Sequence, residues 1–209
     1  MKTLCYKYGK IVLLVLLCLL ALRLSFYTES LSARQEREKL SQFSPGQEVD
    51  YYWDNYRSSL PGRALDLSAF VGRFRQDPQA LAAECGGTPG IGFKTFFLVK
   101  TETSDFTMRD DCLELRVEGV KWQIPEKVFG NLARDASGWF DIEHYRNMTE
   151  YNEVSSYLNA LIMQHIQQVA DSSFASGRSC RVCGAVELAL DQPLAEAVTL
   201  IPFELEFIP

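Results

Sequence analysis

The sequence predicts an α+β protein: a small N-terminal helical subdomain joined to a partly closed β-barrel that carries one long helix, all behind a membrane anchor. Three observations predict it. Lys2, Lys7 and Lys10 precede an unbroken apolar run over residues 11–22. Apolar residues then recur at helical spacing across residues 48–84. After the glycine-rich stretch 86–92 the period changes to strand-like alternation, interrupted by one helical stripe over 151–169.

The lysines hold the N-terminal flank in the cytoplasm, so the chain beyond Tyr27 faces the periplasm or an equivalent exterior space. The apolar run is as short as a signal-peptide core. However, Arg23-Leu24-Ser25-Phe26-Tyr27 follows it where a signal peptidase needs small residues. We therefore expect residues 1–27 to be an uncleaved signal anchor, with Arg23 reaching to the outer surface and Phe26 and Tyr27 at headgroup level. Cleavage at a poor site is the alternative. Lipidation is disfavoured because Cys18 follows Leu16 and Leu17 rather than small residues. The expected address is the inner membrane, single-pass, with a cytoplasmic N-terminus and a periplasmic C-terminal domain.

Beyond the anchor remain about 180 residues, room for one ordinary domain with a small appendage. The net charge of −6 and the lack of a basic block outside the first ten residues argue against nucleic acid as a partner. Residues 28–47 are polar and mixed in charge before Ser44-Pro45-Gly46, and read as a stalk.

Residues 48–85 form the helical subdomain. Val49, Tyr52, Trp53 and Tyr56 share one helical face, Leu60-Pro61-Gly62 ends that helix, and Leu67, Phe70, Val71 and Phe74 repeat the spacing. Asp66 or Ser68 suits a cap, and Pro78 the start of a third helix. Residues 86–209 form the barrel, with strands over 93–103, 106–117, 120–124, 182–190 and 198–207. Tyr151, Val154, Leu158, Leu161, Ile162 and Val169 form the stripe of the long helix, opened by a capping box of Asn147 and Glu150. Five or so strands with one helix match a barrel of the oligonucleotide/oligosaccharide-binding (OB) type.

A resemblance extends this reading over residues 43–208. It is densest at Gly130-Asn131-Leu132-Ala133-Arg134-Asp135-Ala136, then Phe140, Tyr145, Asn147, Glu150, Tyr151, Val154 and Leu158-Asn159. Trp53, Leu60-Pro61, Ala64-Leu65-Asp66-Leu67, Asp77-Pro78 and Phe97-Leu98-Val99-Lys100 precede these, and Gly184-Ala185 and Ile201-Pro202-Phe203-Glu204-Leu205 follow. In these motifs the chain resembles a family of predicted periplasmic lipoproteins of unknown function, often encoded beside ribose-type sugar ABC transporter genes. The resemblance implies the same helical segment and OB-like barrel, and it brings no catalytic residue. The chain departs from the family in having a helical anchor where a lipidated cysteine is usual, and in the Cys180/Cys183 pair.

Arg134, Asp135, Asn147 and Trp53 are the candidate contacts for a ligand or partner. Arg134 and Asp135 suit a salt bridge or turn cap, with the grip of a polar ligand as the functional alternative. Tyr51, Tyr52, Trp53 and Tyr56 suit the core of the helical segment, or stacking on a sugar ring. Cys180, Cys183, Cys85 and Cys112 fall on the exported side, where a disulfide within the close pair or to Cys85 or Cys112 is expected first. Free thiols, a redox dithiol and a zinc site are the alternatives, but the strand after Cys183 offers no helix N-terminus and the spacing lacks a second close pair. His144 and His165 read as structural, the glycines of 86–92 as a joint rather than an anion cradle, and Asp110, Asp111 and Glu114 as a solvated cluster with weak cation binding behind it.

No cofactor or metal is expected. The leading expectation is a non-enzymatic, membrane-anchored accessory protein that binds another protein, such as a sugar ABC transporter component. A saccharide or small-metabolite binding module, using the barrel face or its junction with the helices, is the first alternative. An exported thiol oxidoreductase using Cys180 and Cys183 is the second.

Overall fold

The computed structural model describes residues 44–87, 94–109, 112–173 and 179–208, so the expected anchor and the stalk up to residue 43 lie outside the described residues. The first helix, α1 (Pro45–Tyr56), has Pro45 in its first turn, where the missing N–H costs no hydrogen bond. Three residues of the expected stalk, 45–47, are therefore helical. A 3₁₀ turn (Arg57–Ser59) leads into α2 (Leu60–Arg63), which Pro61 starts rather than ends. Next come β1 (Leu65–Asp66), α3 (Leu67–Gln76) and α4 (Pro78–Cys85). Asp66 caps α3 by accepting from the Ser68 and Ala69 amides, and Asp77 caps α4 through the Ala80 amide. Each such cap contributes about 1 kcal/mol. Leu67, Phe70, Val71 and Phe74 are all buried, as their spacing requires.

The barrel segment comprises β2 (Lys94–Thr103), β3 (Phe106–Met108), β4 (Cys112–Val117), β5 (Val120–Pro125), α5 (Leu132–Ser137), a 3₁₀ turn (Ile142–His144), α6 (Met148–Ser173), β6 (Ser179–Ala189) and β7 (Ala197–Ile208). The seven strands form one sheet in the order β1-β2-β6-β7-β5-β4-β3. Sequence periodicity missed β1 and α5, both too short to show a period. β4 and β5 close a two-residue hairpin through Glu118 and Gly119, both at positive φ.

β7 joins the two halves of the sheet. Its first residues, 197–199, run parallel to β5, and its remainder pairs antiparallel with β6. Past residue 199 the ladder to β5 ends, and the Leu205 amide instead donates to His165 Nε2 of α6 at 3.3 Å. The sheet also curls: Phe106 of β3 lies 5.5 Å from Phe207 of β7, although β4 and β5 separate these strands in the ladder. The result is a partly open barrel. Its core holds Trp122, Phe97, Phe203, Leu115 and Ile124, closed on one side by Tyr151, Val154, Leu158 and Ile162 of α6.

Residues 44–209 form one compact unit. β1, within the helical segment, extends the sheet beside β2, and Tyr145 donates to Glu48 at 2.9 Å. Segments 48–85 and 86–209 thus share a core. Among the described residues, no helix is long and apolar enough to cross a membrane.

Candidate functional site

One face of the sheet carries charge in two rows. Strand register aligns Asp66, Lys100, Cys183 and Glu204 across β1, β2, β6 and β7. The next row aligns Glu102, Arg181 and Glu206. Residues paired in register project to the same face, so the period-2 alternation within each strand places all seven there. Arg181 sits between two carboxylates, 2.9 Å from Glu102 and 3.2 Å from Glu206. These exposed pairs organise the rim more than they stabilise the fold.

A cavity of about 530 Å³ lies over this face, roofed by Arg57, Pro61 and His165. Such a volume is ordinary for small-molecule sites. Lys100 Nζ donates to the Pro61 carbonyl at 2.7 Å, tying β2 to α2 and leaving two donors free to turn inward. Arg57 lies 4.7 Å from the centre of the Trp53 ring, whose other close ring contact is the edge of His165. Because the Leu205 amide donates to His165 Nε2, the imidazole is held neutral with its proton on Nδ1. Burial, then the Arg57 charge, pushes the His165 pKa below its ordinary value. Burial pushes the Glu204 carboxyl up, with Arg57 opposing and Glu206 reinforcing the shift.

The residues singled out by sequence are not gathered here. Arg134 is buried and pairs with Asp135 at 2.7 Å, donates to the Tyr151 carbonyl at 3.1 Å and stacks over the Tyr151 ring. These contacts fasten α5 to α6. Asn147 accepts from the Glu150 amide at 3.0 Å, while Glu150 reaches back to the Arg146 amide, a capping box displaced by one residue. Trp53 supports Arg57 from behind. Of the four aromatics on α1, Tyr52 packs against Trp139 and Phe140, whereas Tyr51 and Tyr56 remain exposed. Asp110 and Asp111 lie outside the described residues, and Glu114 is buried against Arg116 at 3.1 Å.

The expected disulfides are corrected by the structure. Cys180, Cys183 and Cys85 are free thiols. Strand β6 begins at Ser179 and takes in both members of the close pair. Three residues of extended chain separate them by about 10 Å, beyond disulfide reach. Burial pushes both thiols up to about 12, the reverse of a nucleophilic dithiol. Cys183 forms part of the cavity floor.

Sequence reasoning missed Arg57, Lys100 and Glu204 and assigned His165 only to structure. The charges of Lys100 and Glu102, Arg181, and Glu204 and Glu206 at every second position marked a polar face. Only strand register shows that they share it.

A crystal structure of an OB-fold protein from Thermotoga maritima superposes with a TM-score of 0.70 at 16% identity, over 80% of this chain and 100% of that chain. At that identity the likeness carries the fold alone. No curated protein matches the chain. The family described as predicted periplasmic lipoprotein, DUF2291, matches residues 13–206, in accord with the motifs quoted above, and points to the cell envelope. The chain belongs to that predicted periplasmic lipoprotein family.

Proposed function

We propose that this chain is a non-enzymatic periplasmic accessory protein, held in the inner membrane by residues 1–27 with its N-terminus cytoplasmic, that binds a component of a sugar ABC uptake system. The observation that carries the binding reading is the tyrosine cluster on α1. Tyr51 and Tyr56 are 55% and 43% exposed, yet both ring-pack on Tyr52, which stacks on Trp139. Rigid exposed tyrosines are enriched at the centres of protein interfaces, because they bury area at low entropic cost. The envelope family and the resemblance to proteins encoded beside sugar transporters support the choice of partner. The non-enzymatic reading is supported by the packing role of Arg134 and Asp135 and by the raised thiols of Cys180 and Cys183.

The test is affinity purification of tagged full-length protein from gently solubilised membranes. Recovery of a permease, ATPase or solute-binding subunit, lost in a Tyr51→Ala/Tyr56→Ala double variant, supports the proposal. Recovery of the bait alone contradicts it.

The junction cavity favours a second reading, the binding of a saccharide or other small metabolite. It is roomy, carries charged side chains in its lining, and is placed where the helices meet the sheet.

A further inference from the structure

We infer that the junction cavity binds a small zwitterion of the α-amino acid class, with Arg57 holding the carboxylate and Glu204 the ammonium group. This inference rests on the small-metabolite reading of that cavity and names its ligand.

The argument starts from which charges are already engaged. Arg181 is satisfied by Glu102 and Glu206, and Asp66 by the amides of Ser68 and Ala69. Lys100 is held by the Pro61 carbonyl, which leaves two lining charges with neither an ion-pair nor a side-chain hydrogen-bond partner among the described residues: Arg57 in the roof and Glu204 on the floor. Each is close enough to act on the other, since Arg57 opposes the upward shift of Glu204, but they do not form a pair. A cation and a carboxylate held apart across a cavity are the complement of a molecule carrying both charges. A ligand carboxylate at Arg57 gains charge-assisted hydrogen bonds from a planar fork. Lys100 lines the same cavity, with donors left over from the Pro61 carbonyl.

At the other end, Glu204 accepts from the ammonium group. His165 faces the same space as a neutral imidazole, so it adds no repelling charge there. The zwitterion also relieves the cost of leaving Glu204 half-buried and unpaired. A neutral sugar fits less well. Trp53, the nearest indole, is covered by the Arg57 guanidinium and the His165 edge and does not line the cavity. Among the described residues no Phe, Tyr or Trp side chain forms part of the lining, so the flat platform that sugar rings favour is lacking.

The test is isothermal titration of full-length protein in mild detergent with the standard α-amino acids one at a time. Acetate and ethylamine serve as half-ligands, and glucose and ribose as neutral probes. Saturable binding of at least one amino acid is expected, with both half-ligands weaker by about a hundredfold or more, the loss of one charged end. Arg57→Ala and Glu204→Gln should each weaken it by about tenfold or more, and Arg57→Lys by less. Circular dichroism melting of each variant separates this loss from unfolding. Binding of glucose or ribose but of no amino acid would overturn the zwitterion and keep the cavity as a metabolite site. An absence of heat with every probe would overturn both.

Discussion

The Arg134 guanidinium lies 3.5 Å from the centre of the Tyr151 ring while donating to the carbonyl of that same residue at 3.1 Å. Asp135 holds the guanidinium from the other side, and Arg134 is only 4% exposed. The family motif is thus densest around a packing knot. Its chemistry is that of a buried, fully engaged cation joining two helices.

Arg134→Ala should destabilise the fold by about 3 kcal/mol, because it leaves Asp135 and the Tyr151 carbonyl without their partner. Arg134→Lys recovers part of this, lacking the planar fork. Urea denaturation of full-length protein checks both. An Arg134→Ala variant with an unchanged midpoint would show that the knot is not structural.

Gly184 and Pro202 face each other where β6 and β7 slip register. A Cβ at Gly184 would lie 2.4 Å from the Ile201 carbonyl oxygen, a backbone atom that cannot turn aside. Proline, with no N–H to offer, is tolerated mid-sheet only at such an irregularity. Gly184→Ala is expected to cost about 2 kcal/mol or more. A melting temperature within a degree or so of the parent would contradict this placement of the bulge.

His165 sets a pH dependence. Its folded pKa lies below the ordinary 6.5, so the unfolded chain takes up the proton first as the pH falls. The associated stability is complete above about pH 6.5 and is lost as the pH drops through the folded value. Glu204 acts oppositely: its folded pKa is raised above 4.5, so acidification toward that value adds stability. The His165 ring should titrate below 6.5 by NMR. His165→Gln should lose less stability than the parent between about pH 7 and 5.

Thiol accessibility gives an independent check on β6. Cys180 and Cys183 are buried, whereas Cys85 is exposed at the end of α4. Maleimide labelling of native protein should modify Cys85 and leave Cys180 and Cys183 untouched until denaturant is added. A Cys180–Cys183 disulfide found by peptide mapping would show that this strand is not extended there.

The sequence carried the elements whose residues repeat. The stripe of α6, the cap at Asp66, the helix start at Pro78, and the alternation in β2 and β5 are all local signals. What it did not carry is long-range register. The cavity depends on Lys100, Cys183 and Glu204 falling in one row, and on the 3₁₀ turn after α1 and on α6 bringing Arg57 and His165 over it. No local pattern encodes that meeting. The same reason explains the disulfide expectation: the Cys180/Cys183 spacing suggests a pair, and only the extended strand shows that the two sulfurs cannot meet.

The central claim, that the α1 tyrosines dock a sugar-uptake component, is tested most directly by photo-crosslinking in living cells. A benzophenone amino acid replaces Tyr51 or, as a control on a distant exposed turn, Asp191. The account predicts a crosslink from position 51 to a permease, ATPase or solute-binding subunit, identified by mass spectrometry, and none from position 191. Equal crosslinking from both positions, or none from position 51, would contradict it.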